Sequence, residues 1–315
     1  MNKKLIMIGI AILYLMLISI SGCIDDYGCG PEGLRVSSIH EWGIFEQSYN
    51  NTTIIFSGPN PNNFPRPPIV EICAEKPAIY FHGHGQGNIS LAIYTNATNI
   101  VTIPEAEMEK NKFTWNIDLA TNESDNDLLN PVDTNNKAYD YLFYEGKDIR
   151  NQDITSNVTV NSTKIKFNIT NIGNSTLTNV FFWYHPGNIN TEFYLAYIPS
   201  IQPDEKYTVL KELDSAVTIN ETRARLETKL TNKKLTEQES EDLLNYWVDG
   251  EKDSLGKKTD LPWFQNRDNE YAQVIYFIDQ SEYDKLLPIE VDSNIQEIIR
   301  VGIVSVRDIP IFKID

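Results

Sequence analysis

From Leu34 to Leu213 the chain is a succession of short apolar runs, many of them alternating, closed by Gly, Asn or charged residues. Successive side chains of an extended segment point to opposite faces, so such a run buries one face and must pair with neighbours to satisfy its backbone. The first series is Leu34 to Phe45, Ala78 to Phe81, Ile89 to Tyr94, Ile100 to Ile103, Phe113 to Leu119 and Tyr139 to Tyr144. In the second, Val158 alternates with Val160, and Ile165 with Phe167 and Ile169. A turn at Asn171-Ile172-Gly173-Asn174 then leads to Leu177, Val180 to Tyr184, Phe193 to Ile198 and Tyr207 to Leu210. Strands of this length with turns every dozen or so residues predict antiparallel sheets packed as sandwiches.

Beyond residue 215 the period changes. Asn220 to Leu230 has helical spacing, with Leu226 and Leu230 four apart. Thr236 followed three residues on by Glu239 is a capping box that opens a second helix, whose apolar face is Leu243, Leu244 and Trp247. Gln273 to Ile278 reads as a strand, Ser281 to Leu286 as a short helix and Ile298 to Val306 as a final strand. The expected fold is therefore mainly β: antiparallel β-sandwich modules followed by a C-terminal α+β segment.

Asn168-Ile169-Thr170-Asn171-Ile172-Gly173-Asn174-Ser175, with Ile198-Pro199 and Ile201-Gln202-Pro203-Asp204-Glu205 after it, resembles the immunoglobulin-like modules of archaeal and bacterial surface proteins. That resemblance implies a small sandwich over 151–215. It sits between an N-terminal β-rich domain over 34–150 and a C-terminal segment over 216–315 that can pack with the N-terminal domain.

The first 22 residues have a different purpose. Lys3 and Lys4 precede an apolar stretch from Leu5 to Ile20, and Ser21-Gly22-Cys23 closes it with small residues before a cysteine. These are the parts of a secretory signal. Roughly 16 apolar residues are short for a bilayer, which takes about 20. Ile20-Ser21-Gly22-Cys23 resembles a lipoprotein lipobox, which implies lipidation of Cys23, a tether over 23–33 and residence on the extracytoplasmic face of the cell membrane. An uncleaved helix or a signal cut without lipid are the other readings, and both also export the chain.

A net charge of −17 falls two units further when Lys3 and Lys4 leave with the signal. It excludes nucleic acid and anionic head groups as partners, since both need a basic surface. With Cys23 lipidated, Cys29 and Cys73 remain as an even pair and are expected to form a disulfide. They would hold together a stretch that includes the Pro- and Asn-rich loop from Gly58 to Pro68; two unrelated thiols are the alternative. Asn50, Asn51, Asn88, Asn96, Asn122, Asn157, Asn161, Asn168, Asn174 and Asn220 all stand in N-glycosylation acceptor triplets. Chance would supply about four among 31 asparagines. An Asn-rich genome with strand-favouring Thr is the bland source of such triplets; read with the lipobox, they point to an archaeal surface glycoprotein.

Several spaced segments carry a wider likeness: Ile39-His40-Glu41-Trp42-Gly43-Ile44-Phe45, Lys76-Pro77-Ala78-Ile79-Tyr80-Phe81 and Tyr141-Leu142-Phe143-Tyr144-Glu145-Gly146. Later come Trp247, Trp263-Phe264, Val274-Ile275-Tyr276-Phe277, Leu286-Leu287-Pro288-Ile289 and Arg300-Val301-Gly302-Ile303-Val304. In order and rough spacing they resemble a family of secreted bacterial and archaeal proteins with no assigned activity. The chain departs from it at Ile44, where Thr is usual, at Glu145, where Arg is usual, and in a longer link between Trp247 and Trp263. The resemblance implies secretion and a shared architecture, and leaves the activity open.

Chemistry has few candidates. His82 and His84 are two apart, so on a regular strand they share a face and could reach one metal ion with His40 or Glu41 as a third ligand. His40 and Glu41 are also the candidates for acid–base catalysis, although neighbours on a strand point apart. The alternative is that Trp42 anchors a core while His40 or Glu41 makes a buried hydrogen bond. Asp249, Glu251, Asp253 and Asp260 take positions 1, 3, 5 and 12 of a calcium loop, but Ser254 stands where Gly is needed and Asp260 where Glu is needed. Phe181-Phe182-Trp183-Tyr184 puts rings on both faces of one strand. No cofactor is expected, a metal ion being the one addition left open. The sequence points first to a structural or binding module of the cell envelope, with envelope proteins or glycans as partners. An extracellular hydrolase with a His/Glu site and a solute- or glycan-binding lipoprotein are the alternatives.

Overall fold

The computed structural model describes residues 33–49, 53–57, 77–122, 127–149, 152–187, 192–249, 263 and 270–314. Cys23, Cys29, Cys73, Asn50, Asn51, Glu251, Asp253 and Asp260 lie outside these residues, and with them the lipid, disulfide and most of the calcium-loop expectations. The chain is mainly β, with 58% of it in strands and 15% in helices.

The longest strand, β1, is Arg35–Ser48, and every residue from Ile39 to Gln47 is buried. A strand buried without interruption has both faces covered. After it come β2 (Thr53–Ser57), β3 (Ala78–His84), β4 (Gln86–Tyr94), β5 (Thr98–Ile103), β6 (Glu107–Met108), β7 (Lys112–Thr121), β8 (Leu128–Val132) and β9 (Leu142–Ile149). The middle of the chain supplies β10 (Ile154–Val160), β11 (Lys164–Asn171), β12 (Leu177–His185), β13 (Glu192–Ile201), β14 (Lys206–Glu212) and β15 (Val217–Thr218). Helix α1 (Ile219–Asn232), helix α2 (Glu237–Leu244) and a π-helical turn (Asn245–Asp249) follow. The chain then forms β16 (Tyr271–Ile278), α3 (Gln280–Leu286), β17 (Ile289–Val291), β18 (Glu297–Arg307) and β19 (Ile311–Lys313).

Most strands join one mixed sheet in the order β15-β13-β12-β16-β18-β1-β2-β9-β3-β8-β7-β4-β17. β1 lies inside it, parallel to β18 on one side and antiparallel to β2 and β3 on the other. A second sheet, β14-β11-β10-β19, stands apart. Inward residues of that sheet, among them Val158, Ile165 and Phe167, share a core with Phe182, Val274 and Val306 of the large one. The opposite face of the large sheet is covered by the helical segment, where Leu226, Leu230, Leu243 and Trp247 meet Trp42, Phe181 and Ile303. Both rings on each side of the 181–184 block are thus core: Phe182 and Tyr184 in one cluster, Phe181 and Trp183 in the other.

The sheet runs across the boundaries drawn at 150 and 215. Within the stretch expected to be a self-contained immunoglobulin-like module, β12 and β13 belong to the large sheet, where β12 pairs with β16. The other layer, β10, β11 and β14, takes its edge strand β19 from the C-terminus, with Val158 opposite Ile311. β1 and β18 likewise join the N- and C-terminal parts over eleven paired positions, Ser38 to Ser48 against Glu297 to Arg307. A sequence repeat of strands and turns fixes local strands but not which sheet each one enters.

Segments that carry the likeness to secreted proteins fall close together in this sheet. Ile39–Phe45 is on β1, Ala78–Phe81 on β3, Leu142–Gly146 on β9, Val274–Phe277 on β16 and Arg300–Val304 on β18. Gly43 and Gly302 are opposite each other, and Tyr283 of α3 lies over them. A Cβ at Gly43 would stand 2.4 Å from the Tyr283 hydroxyl, and one at Gly302 would stand 2.6 Å from Ile278 and 3.1 Å from the Tyr283 ring. The glycines are therefore clearance for a tyrosine. Gly43→Ala should destabilise the fold by about 1–3 kcal/mol. The loss should be smaller in a Tyr283→Phe background, which removes the colliding hydroxyl. A double-mutant cycle by denaturant unfolding measures this coupling, and additive losses would refute the clearance role.

Candidate functional site

Alternation along β1 sends His40 and Glu41 to opposite faces, and each meets a different partner set. Glu41 enters the core beneath α3. Its Oε2 accepts from Arg300 Nε at 2.6 Å, and its Oε1 accepts from the hydroxyl of Tyr283 at 2.7 Å and from that of Tyr144. Arg300 also donates from Nη1 to Asp284 Oδ1 at 3.0 Å and to the Leu287 carbonyl at 2.6 Å, and its guanidinium lies 4.2 Å from the centre of the Tyr283 ring. Burial, with the Glu41 charge beside them, raises both tyrosine hydroxyls well above their ordinary range. Burial alone would lower the Arg300 guanidinium, but the Glu41 carboxylate outweighs it and raises it. Glu41 and Arg300 are sealed in the core, and of the charged members of this group only Asp284 reaches solvent. The sequence-based alternative, a buried hydrogen bond at Glu41, describes it better than catalysis does.

His40 faces the helical layer. Its Nδ1 lies 3.0 Å from Glu239 Oε2, while Nε2 of His82 lies 2.8 Å from Glu239 Oε1. The two imidazoles are adjacent, with ring centres 4.1 Å apart. Glu239 is the residue that closes the capping box of α2: Thr236 N–H donates to its Oε2 at 2.7 Å, and its own N–H donates to the Thr236 hydroxyl. One residue thus fixes the start of the helix and reaches across to two strands. Burial pushes its carboxyl up, but the hydrogen bonds from His40 and His82, together with that from Thr236 N–H, outweigh burial and hold it down at about 2. A carboxylate only accepts, so both facing imidazole nitrogens are donors in this arrangement.

The far nitrogen of His40 lies 3.2 Å from Ser38 Oγ, which sets the plane of the ring. One helical turn beyond Glu239, Asp242 accepts from the Tyr80 hydroxyl at 2.9 Å and from Gln238. Burial is the chief cause of a raised carboxyl at Asp242 and of a raised hydroxyl at Tyr80, with the negative charges around them adding to it. His40, His82 and Glu239 each offer one ligand atom, all within 4.8 Å of one another.

The expected His82–His84 pair does not form. Gly83 has φ +147° and a Cβ there would lie 2.0 Å from the Arg35 carbonyl, where the register of β1 against β3 shifts between Val36 and Ser38. The extra residue is Ser37 of β1, and β3 runs on through Gly83 to its last residue, His84, which stands exposed outside the cluster. Glu239, which the sequence marked only as a cap, takes the place expected of His84 and Glu41. No local signal could pair it with His40, 199 positions away, or with His82, 157 positions away. His185 is stacked on Tyr271 at 5.3 Å and is not part of the group. Asp249 closes the π-helical turn.

Among the acceptor asparagines, Asn88, Asn96, Asn161, Asn174 and Asn220 are exposed, and Asn122, Asn157 and Asn168 are half-buried. Asn168 donates from Nδ2 to Asn157 Oδ1 at 2.9 Å across β10 and β11, so the atom that would carry a glycan is engaged. Asn161 Oδ1 accepts from the N–H groups of Thr163 and Lys164 and shapes the hairpin turn.

No protein-family model and no curated protein matches the chain. Among solved structures, the yeast delta-COP-I mu-homology domain complexed with a Dsl1 WxWxV peptide is similar at 11% identity and a TM-score of 0.30, covering 87% of this chain and 95% of that one. The same yeast domain without the peptide gives 10% identity and a TM-score of 0.29 with the same coverage. Similarity at that level says nothing about function.

Two outcomes follow from the geometry. Glu41→Gln leaves the buried Arg300 charge with only the partly exposed Asp284 as counter-ion and should cost about 3–5 kcal/mol in denaturant unfolding. At Glu239 the folded-state carboxyl is lowered from 4.5 to about 2. Its stabilisation is therefore complete above the unfolded-state value and is lost as pH falls through the folded one. Stability measured between pH 5 and 2 should fall less steeply in Glu239→Gln than in the parent protein, and identical slopes would contradict the assignment.

Proposed function

We propose that the chain works outside the cytoplasm, held to the cell membrane by a lipid on Cys23, and that its β body is a binding or structural module of the envelope. The observation that carries this reading is the basic start, apolar stretch and Ile20-Ser21-Gly22-Cys23 at the N-terminus. The strongly acidic balance supports it, since such a surface stays soluble outside the cell and repels anionic head groups, so that attachment falls to the lipid. Exposed Asn88, Asn96, Asn161, Asn174 and Asn220 leave room for glycans on the body. The resemblance to secreted proteins points the same way. So does the sandwich: two sheets packed on one core and a helical layer on another make a rigid carrier of surface loops, suited to envelope proteins or glycans as partners.

One observation favours a second reading, an extracellular hydrolase. His40 and His82 meet at a buried carboxylate, with Asp242 and Tyr80 one helical turn away. A group of that kind can move a proton, and His40 and Glu239 would be its centre.

Expression of the chain with its own N-terminus in an archaeal host, followed by fractionation and mass analysis of the N-terminal peptide, tests the first reading. The mature protein should start at an acylated Cys23 and sediment with membranes. Cys23→Ser should abolish acylation and release the exported protein from the membrane fraction. Recovery of unmodified Cys23 from the mature protein would remove the lipid, and recovery from the cytoplasm would remove the whole reading.

A further inference from the structure

We propose that His40, His82 and Glu239 are three ligands of a divalent transition-metal ion of the zinc class, bound through His40 Nδ1, His82 Nε2 and the Glu239 carboxylate. The site is independent of the lipid anchor and differs from the histidine pair expected from the sequence. Four observations carry it.

The donor set is the first. Two imidazoles and a carboxylate converge from β1, β3 and α2, with their ligand atoms within 4.8 Å of one another. Three protein ligands of these types are what an open zinc site uses, with the fourth position left to water or substrate. Present separations of 3.0 Å and 2.8 Å between imidazole nitrogen and carboxylate oxygen are those of bridging protons. Ligand bonds of 2.0–2.2 Å around a tetrahedral ion put neighbouring donor atoms about 3.3–3.6 Å apart, inside the 4.8 Å that bounds the present group. The two bonds run to different oxygens of Glu239, and an ion would take the place of their two protons.

Charge is the second. Glu41 and Glu46, the buried carboxylates of β1, each face a guanidinium, that of Arg300 or Arg307. Glu239 is equally buried, yet its ion-pair partners among the described residues are imidazoles, which are cations only when protonated. A divalent ion would give it a permanent counter-charge.

The third is the support around the ligands. Metal-bound histidines direct their other nitrogen to a polar partner, and bound carboxylates are themselves hydrogen-bonded. His40 Nε2 already meets Ser38 Oγ at 3.2 Å, and Glu239 Oε2 already takes the Thr236 N–H at 2.7 Å. Each carboxylate oxygen has two lone pairs, so capping of α2 and metal binding do not compete.

Access is the fourth. Side-chain exposure is 1% at Glu239, 9% at His40 and 13% at His82, so solvent reaches the group only at the edges of its imidazoles.

The test uses the full-length chain in detergent, stripped with a chelator and titrated with Zn(II) by calorimetry and with Co(II) by visible spectroscopy. The parent protein should bind an ion at this site with tetrahedral cobalt bands and a rise in melting temperature. Ser38→Ala should weaken zinc binding by about 10–100-fold, as loss of an outer partner does, and His82→Ala by more than that. His84→Ala should bind as the parent does. His82→Gln serves where His82→Ala fails to fold, since its amide still donates to Glu239 while the imidazole ligand is gone. Absence of the cobalt bands in the parent, or parental zinc affinity in folded His82→Ala or His82→Gln, would overturn the proposal.

Discussion

The ion pair between Glu41 and Arg300 sets the terms for the rest of the molecule. The two residues face each other across the parallel strands β1 and β18, and neither side chain has any exposure. Taking both ions out of water costs several kcal/mol each, recovered only if the remaining donors and acceptors are met. That requirement calls in Tyr144 from β9, Tyr283 from α3 and the Leu287 carbonyl just beyond it. Tyr283 in turn needs the space left by Gly43 and Gly302. A slip of one residue in the β1–β18 register would put Glu41 against an apolar side chain and close that space, so the pair selects one register from those the apolar pattern would allow.

The same strand divides two kinds of polar chemistry. On one face Glu41 is neutralised by a permanent cation and sealed by tyrosines. On the other, His40 meets a carboxylate whose partners are titratable and close to solvent. Helices on opposite faces complete each group, α3 with Tyr283 and α2 with Glu239. A strand residue and its neighbour can therefore serve stability and chemistry independently, because a pleated sheet a single residue thick insulates one from the other.

Much of this is legible in the sequence. The alternation around Ile165, Phe167 and Ile169, the helix at Leu226 and Leu230 and the cap at Thr236 all mark local structure, and local structure depends on neighbours in sequence. A second capping box, Thr218 with Glu221, was equally visible in principle and opens α1. What could not be read was sheet membership. β12 reads as part of a small sandwich, but its ladder to β16 depends on residues almost a hundred positions later. The site was half legible for the same reason. His40 and His82 stood out as rare residue types, while Glu239 was one acidic residue among many until the fold placed it between them. His84 misled because period two says nothing of where a strand ends, and His84 is the exposed last residue of β3.

The parallel ladder between β1 and β18 has a consequence for how the chain reaches its fold. Glu41 and Arg300 are 259 residues apart, and β19 completes the second sheet from still nearer the C-terminus. A ribosome or translocation channel delivers the N-terminal strand first, so β1 must wait without its parallel partner while nearly the whole chain emerges. During that interval a long apolar strand carrying an unneutralised Glu41 has open backbone edges, the state in which chains aggregate or pair wrongly. Topologies dominated by such distant contacts fold slowly. Until the strand bearing Arg300 arrives, burying β1 with Glu41 charged costs several kcal/mol, so the strand has no stable place in a core before its partner is made.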